Sequence, residues 1–414
     1  VIDKIALLRP FASNIYTQDS SPMKLSNRIS GILGDGSDGW EVFLKARAMI
    51  KEGIPVTELT IGEHDIRTAP PILQDMHRAA MGGHTGYAAV PGTDALRQTV
   101  ASRVQAQTGV PTRPENIMIT PGGQAALFAA HVAVCDAGDT ALYLDPFYAT
   151  YPGTLRGAGA VPLAIKTRAE DAFQPRAADI APHAAGAKSL LINSPNNPTG
   201  TVYSAATMEG IAQVCKTHDL WLISDEVYDV QVWEGEHISP RALPDMAERT
   251  LVIGSMSKSH AMTGSRCGWI VGPEEVIESL INLATHTTYG VAGYIQDASD
   301  FALNQGPAFE EEIAAPFRRR REIGREILAR QNTVGLIPAQ GAMYLMLDIR
   351  ATGMSGEEFA YALLEAHHIA VMPGESFGAA AAGHLRVAMT IEDGAFAKAL
   401  ETLCGFAEGI ARVR

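Results

Sequence analysis

Gly254-Ser255-Met256-Ser257-Lys258-Ser259-His260-Ala261-Met262-Thr263-Gly264-Ser265-Arg266-Cys267-Gly268-Trp269 follows directly on the apolar run Thr250 to Ile253. The segment sets one lysine, several hydroxyls and one arginine in a glycine-bounded turn, just past a run short and apolar enough to be a buried strand. In open α/β sheets ligands bind outside the carboxyl ends of the strands, where a lysine amine is desolvated and becomes a nucleophile. By itself the pattern also fits a surface lysine in a polar turn. What decides between the two is what the rest of the chain brings to the same rim.

Working outward, short runs rich in Leu, Ile and Val recur at Ile117 to Thr120, Ala141 to Asp145, Val161 to Ile165, Ser189 to Asn193, Leu220 to Asp225, Thr250 to Gly254 and Gly268 to Val271, mostly separated by helical stretches. Runs of this kind point to a largely parallel sheet covered on both faces, so the expected core is a three-layer α/β/α domain. After about Pro307 the texture changes. The spacing predicts a long, charged helix over 309–330, then strands over 343–349, 370–372 and 385–389 with helices over 359–367 and 395–410, which reads as a smaller α+β domain. Upstream, helices are expected over 26–33 and 40–51, the second with Phe43, Ala46, Met49 and Ile50 on one side, followed by a short strand Leu59 to Glu63, a helix over 72–81 and a glycine-rich loop Gly82 to Gly92. Residues up to about Ser20 read as an arm. The division expected is 1–58 as arm and part of the small domain, 59–305 as the large domain and 306–414 as the small C-terminal domain.

The 414 residues carry 33 Lys and Arg against 46 Asp and Glu, a net charge of −13, which argues against non-specific binding to nucleic acid or an anionic membrane. Cys135, Cys215, Cys267 and Cys404 have neither metal-ligand nor disulfide spacing and suit a reducing cytoplasm. Near the start, the patch Ile5-Ala6-Leu7-Leu8 is too short for a secretory core or a membrane span.

Four further stretches end at the rim where Lys258 sits. Pro121-Gly122-Gly123-Gln124 leads from a strand into an apolar helix, a turn whose free N–H groups make a phosphate site but which is also a common structural device. Asp145-Pro146-Phe147-Tyr148 brings an aromatic ring that can stack on a planar group or pack in the core. Ser194-Pro195-Asn196-Asn197-Pro198-Thr199-Gly200 holds amide side chains on a proline-stiffened turn. Asp225-Glu226-Val227-Tyr228 places a carboxylate at the end of an apolar strand, where it is expected to face a cation, with a phenol three residues on.

Together Gly122-Gly123-Gln124, Asn196-Asn197-Pro198-Thr199-Gly200, Asp225 with Tyr228, Ser255-x-Ser257-Lys258 and Thr263-Gly264-Ser265-Arg266 resemble the class I/II aminotransferases, enzymes of fold type I that depend on pyridoxal 5'-phosphate. The resemblance runs from about Leu59 to Met389 with its motifs in the family's order, and is nearest to the prokaryotic aspartate aminotransferases. It implies the three-layer domain with a mostly parallel seven-stranded sheet, and a homodimer with shared active sites. It also implies that Lys258 carries the cofactor aldehyde as a Schiff base and shuttles the substrate proton. Asp225 pairs with the pyridine nitrogen, Tyr228 and Asn197 bond the ring oxygen, and Tyr148 stacks on the ring. Arg266, Ser255 and the amides of Gly123 and Gln124 hold the phosphate, which Tyr87 reaches from the neighbouring subunit. An arginine in an apolar strand is by itself more often structural. On the resemblance Arg386, in Gly383-His384-Leu385-Arg386-Val387-Ala388-Met389, matches the residue that binds the substrate α-carboxylate, for which a planar guanidinium is suited. Gly62 lines the same pocket.

The implied reaction moves an amino group between an α-amino acid and a 2-oxo acid by ping-pong kinetics, with an aspartate-type or broad choice of donor. The chain departs from the pattern in three places. Gln124 stands where some prokaryotic members carry a lysine for a distal carboxylate, Gly62-Glu63-His64-Asp65 replaces the usual Gly-Glu-Pro-Asp, and Ala379-Ala380-Ala381-Ala382 makes a small-residue loop beside Arg386. Two alternatives share the cofactor residues: a C–S β-lyase or racemase, and a non-catalytic sensor domain of a transcription regulator, for which the short, non-basic N-terminal segment leaves no room for a DNA-binding domain. Arg318-Arg319-Arg320-Arg321, set among glutamates, reads as a solvated helix face, and His84, His260 and His286 lack partners at metal spacing, so no metal is expected.

Overall fold

In the computed structural model, which describes residues 23–34 and 39–413, the strands assemble into three sheets. The expected arm up to Ser20 and the Ile5 to Leu8 patch lie outside the described residues. After a two-residue strand β1 (Thr57–Glu58), the strands β2 (Ile117–Thr120), β3 (Thr140–Asp145), β4 (Val161–Lys166), β5 (Ala187–Asn193), β6 (Trp221–Asp225), β7 (Thr250–Ser255) and β8 (Gly268–Val271) form a seven-stranded sheet in the order β2-β8-β7-β6-β5-β3-β4. Only β8 runs against its neighbours, β2 and β7. The seven predicted runs are these seven strands, each within two residues of its predicted start and one of its predicted end.

Successive residues of the central strands divide between two layers, as a period of two requires. Leu191 of β5 and Ile223 of β6 pack under the helix Gly123–Val134 with Ala126, Leu127 and Ala130. Their chain neighbours Leu190 and Leu222 pack on the other face, under the helix Ala205–His218 with Met208, Ile211 and Cys215. Each such side chain contributes about 1.5–3 kcal/mol by leaving water, and the doubly covered sheet fixes the ends of β2, β3, β5, β6 and β7 at one rim.

The remaining strands are β9 (Gly335–Leu336), β10 (Tyr344–Asp348), β11 (Ile369–Ala370), β12 (Met372–Pro373) and β13 (His384–Ala388). Four of them form an antiparallel sheet in the order β12-β13-β10-β9, while β1 pairs in parallel with β11. Leu345, Leu347 and Leu385 share one apolar cluster with Phe317, Phe359, Phe396 and Leu400 of the helices Pro307–Leu328, Gly356–His367 and Asp393–Val413. Val42 and Ala46 of the helix Glu41–Lys51 join the same cluster, as the apolar spacing near Trp40 anticipates, but Ile50 on the expected apolar side is exposed. No helix among the described residues is long and apolar enough to cross a membrane.

Two expectations fail. The segment Leu59 to Glu63 is not a strand, because its carbonyls are taken by side chains: Thr60 accepts from the Arg386 guanidinium, Ile61 from the Thr390 hydroxyl at 3.1 Å and Gly62 from the Lys258 amine. It is a strap across the rim. Nor is Arg318 to Arg321 solvated throughout: Arg318 and Arg319 are exposed, as expected, but the next two are not. Arg320 and Arg321 are each 4% exposed, Arg320 held by Asp65 at 2.6 Å and Asp393 at 2.8 Å, and Arg321 by Glu234 and the Ala339 carbonyl. The glutamates flanking the run in sequence conceal these more distant acceptors.

Candidate active site

Lys258 stands on a single helical turn, Met256–Ser259, that starts where β7 ends. Ser255 caps the turn, its hydroxyl accepting the Ser257 N–H at 3.1 Å and lying 3.0 Å from the Ser257 hydroxyl. The two flanking glycines are required by closeness: a Cβ at Gly254 would lie 2.1 Å from the Trp269 indole nitrogen, and one at Gly268 would lie 2.9 Å from the Gly123 nitrogen. The lysine turn therefore abuts the glycine turn after β2. Burial draws the Lys258 pKa below that of an ordinary lysine, which favours a neutral amine.

Asp225, at the end of β6, is 4% exposed, and burial pushes its carboxyl up to about 6. The cation expected opposite it is not among its bonded partners in the described residues. Instead the Tyr151 hydroxyl donates to the carboxylate at 2.7 Å and the Val227 N–H at 3.4 Å. Asn193, at the end of β5, knits the neighbouring turns together: its amide donates to the Asp225 carbonyl at 2.9 Å and its oxygen accepts the Asn197 N–H at 2.8 Å. Asn197 in turn accepts from Arg386 at 3.0 Å.

Arg386 is brought in by β13, from the other sheet, and is 2% exposed. Its guanidinium lies 4.5 Å from the Tyr344 ring centroid and 4.3 Å from that of Phe377, so two aromatic faces hold its plane while Asn197 and the Thr60 carbonyl hold its edge. The Tyr228 and Tyr344 hydroxyls are 2.9 Å apart, and burial raises the Tyr228 phenol well above its ordinary pKa, keeping its proton available to donate. Gly62 is there because nothing larger fits: a Cβ would lie 1.8 Å from the Tyr344 hydroxyl.

The helix Gly123–Val134 begins with Gly122 at φ +81°, where an added Cβ would lie 2.3 Å from the Arg266 guanidinium. Arg266 donates to the Thr263 carbonyl at 2.9 Å and lies over the amides of that helix start. The Gln124 side chain turns outward, donating to Thr154 at 2.6 Å and accepting from Thr150 at 3.1 Å. Tyr148 stands edge-on to Tyr151, ring centroids 5.7 Å apart. His64 is buried edge-on against Phe317, and its burial beside the Lys258 charge depresses its pKa to about 3, so it is neutral.

The structure thus gathers Gly62, Gly123, Gln124, Tyr148, Asn197, Asp225, Tyr228, Ser255, Lys258, Arg266 and Arg386 around one cleft. Tyr87 stands apart from them, 91% exposed and edge-on to Tyr289. Sequence reasoning missed Tyr151, Asn193, Tyr344 and Phe377. Tyr151 follows Tyr148 by three residues, a helical step that placed both rings on one side, whereas Tyr344 and Phe377 carry no local mark.

A desolvated lysine, a buried carboxylate, a glycine turn beneath Arg266 and a buried arginine held between two rings come together here, an arrangement able to hold anionic groups beside a nucleophile. Residues 54–403 match the family model for aminotransferase class I and II, and the chain belongs to that family. It is 38% identical over 372 residues to an arginine–pyruvate transaminase of Pseudomonas aeruginosa, covering 89% of this chain and 94% of the relative. It is 36% identical over 366 residues to an aspartate/prephenate aminotransferase of Thermus thermophilus, covering 86% and 92%. Among solved structures, the aspartate aminotransferase from Thermus thermophilus with maleate superposes with a TM-score of 0.86 at 34% identity, covering 95% of this chain and 100% of that one. The protein is an aminotransferase, and membership of the family implies pyridoxal 5'-phosphate. Nothing in these comparisons favours the lyase, racemase or sensor readings.

The residues fit that cofactor on two counts. A buried carboxylate with its pKa raised to about 6 suits a pyridinium, and the Gly122 turn beneath Arg266 has the form of a phosphate cradle.

Proposed function

We propose that Lys258 is the catalytic base and the point of cofactor attachment, that Asp225 partners the cofactor nitrogen, and that Asn197 and Tyr228 bond its ring oxygen. Tyr148 stacks on the ring, while Arg266, Ser255 and the amides of Gly123 and Gln124 hold the phosphate. The observation that carries this reading is the convergence of a desolvated lysine, a buried carboxylate and an arginine that donates to backbone carbonyls at the ends of adjacent strands. Bound pyridoxal phosphate supplies an electron sink conjugated to the substrate α-carbon. Arg386 and the Gly62 backbone fix the substrate carboxylate, with the guanidinium plane set by Tyr344 and Phe377 so that a bidentate pair forms without reorganisation. The Lys258 Nζ, its pKa drawn down by burial, takes the proton from the α-carbon and holds it. Tyr228 remains a donor throughout, since its phenol is too weak an acid to ionise. One lysine serves both half-reactions, which gives ping-pong kinetics.

We place the specificity on donors without a side-chain carboxylate, the broad rather than the aspartate-type choice. Gln124 is spent on Thr150 and Thr154 and offers no cation, and the Pseudomonas relative is named for arginine and pyruvate. The large exposed ring of Tyr87, with Met81 at 76% exposure and Tyr289 at 51%, supports a homodimer in which Tyr87 serves the other subunit's phosphate. Two separate sheets support a large domain of 59–305 and a small one made of 306–414 with part of 1–58. Four free, buried cysteines support a reducing cytoplasm.

The test is a single-turnover reaction of cofactor-loaded protein with arginine, alanine, phenylalanine and aspartate, read by cofactor absorbance. Conversion by arginine or an apolar donor ahead of aspartate is expected; preference for aspartate overturns the donor assignment. Lys258→Ala should fold and bind cofactor non-covalently with turnover lost, and retained turnover refutes the role of the lysine.

A further inference from the structure

Asp145 ends β3, is 2% exposed, and belongs to none of the contacts described so far. Its side chain leaves the large sheet and meets the loop that joins β12 to β13. Both carboxylate oxygens lie 3.2 Å from the Ala380 N–H, and Gly378, at φ +118°, presses so close that a Cβ there would lie 2.0 Å from Oδ1. Burial lifts the Asp145 carboxyl to about 6, with the Ala380 and Ala379 amides and Lys166 opposing that rise. A buried carboxylate answered chiefly by backbone amides is expensive to keep merely to close a strand. Two residues on, the Phe147 N–H donates to the Phe377 carbonyl at 2.9 Å, so the Asp145 to Phe147 turn grips the loop at two points. Phe377 is the ring whose face supports the Arg386 guanidinium at 4.3 Å.

We propose that Asp145 is a positioning residue for substrate carboxylate recognition: by gripping the Gly378 to Ala380 backbone it seats Phe377 beneath Arg386 and so sets the plane of the guanidinium. This rests on the reading of Arg386 as the carboxylate clamp. The four-alanine loop follows from the same arrangement, since Asp145 addresses main-chain N–H groups and Ala379 to Ala382 need only supply backbone at that distance. The grip joins the two sheets where the β3 turn touches the support of a β13 side chain, so loosening it displaces the clamp while Lys258, Asp225 and the phosphate cradle keep their own contacts.

The experiment compares Asp145→Ala, Asp145→Asn, Ala380→Pro and Arg386→Lys in the cofactor-loaded enzyme, reading KM for the amino donor, kcat and cofactor affinity separately. Asp145→Ala and Ala380→Pro, which remove the acceptor and the donor of one contact, are each expected to raise KM by about tenfold with kcat and cofactor affinity within about threefold, the signature of lost substrate binding. Asp145→Asn, which keeps an accepting oxygen, is expected to restore KM to within about threefold of the parent. The inference is overturned if KM is unmoved in Asp145→Ala, if Asp145→Asn is as damaged as Asp145→Ala, or if kcat and cofactor affinity fall together with KM. An Arg386→Lys variant with unaltered KM overturns the clamp assignment, and this inference with it; a raised KM there beside an unmoved Asp145→Ala overturns this inference alone.

Discussion

Asp225→Asn is expected to stabilise the cofactor-free protein while abolishing its activity. The folded carboxyl titrates at about 6 against an ordinary 3.8, because burial penalises the charged form more than the Tyr151 and Val227 bonds favour it. The folded state therefore holds the proton more tightly than the unfolded chain does, and ionised Asp225 costs stability above the folded value. At about 1.4 kcal/mol per pH unit the penalty is about 3 kcal/mol at pH 8. It falls by about half at pH 5 and disappears below the unfolded pKa. Asparagine keeps an oxygen for the Tyr151 hydroxyl and carries no charge, so any fixed steric difference between the two side chains is the same at every pH. Urea unfolding of both cofactor-free proteins between pH 5 and pH 8 isolates the part that is not. The advantage of the variant should grow by about 1.5 kcal/mol over that span. Asp145, also raised to about 6, is common to both proteins and cancels. A stability difference that is flat across the range refutes the claim that a costly buried charge sits at this position. Pyridoxal phosphate should stabilise the parent much more than the variant.

Two further outcomes follow from the strap and from the arginine run. Gly62→Ala puts a methyl where the Tyr344 hydroxyl is, 1.8 Å away, and disturbs the partner of Tyr228 and the face under Arg386 together. We expect kcat/KM to fall at least about tenfold, equivalent to about 1.4 kcal/mol, with the thermal midpoint little changed, and an active enzyme would show that the strap is free to move away. Arg320→Ala leaves Asp65 and Asp393 without their shared cation, but their side chains are 26% and 31% exposed. Unfolding should therefore cost about 2–3 kcal/mol less, rather than the about 3–5 of a fully buried pair, and a variant as stable as the parent would mean the ion pairs contribute nothing net.

The large sheet was legible because its central strands are covered on both faces: a run such as Leu251 to Ile253 is apolar at every position and lies between Thr250 and Gly254. The helix Asp94–Thr108 went unnoticed although Thr93 caps it and Gly109 ends it in the left-handed region, because its four buried residues are diluted by long polar ones. The strap from Leu59 was misread since its composition is that of a strand; what distinguishes it is the capture of its carbonyls by Lys258, Arg386 and Thr390, which stand far along the chain. The cleft was legible where a residue belongs to a motif next to a strand end. Tyr344, separated by 116 residues from its hydrogen-bond partner Tyr228, looks like any aromatic in an apolar strand. Asp225 was expected to face a cation; the neutral phenol that answers it instead was not anticipated, because a hydroxyl leaves no charge pattern to read.

The strap also bears on how an acidic molecule draws anions inward. Arg103, Arg320 and Arg321, elsewhere in the protein, are matched by carboxylates. In the cleft Lys258, Arg266 and Arg386 donate to neutral oxygens: the carbonyls of Gly62, Thr263, Pro121 and Thr60 and the amide of Asn197. Neutral acceptors orient the two guanidinium groups without cancelling their field, so within a protein of net charge −13 these arginines keep their attraction for anions. Among the described residues no side-chain carboxylate is bonded to the Arg266 or Arg386 guanidinium, so a phosphate or carboxylate entering the cleft has none to displace from them, and the attraction it feels weakens as dissolved salt is added.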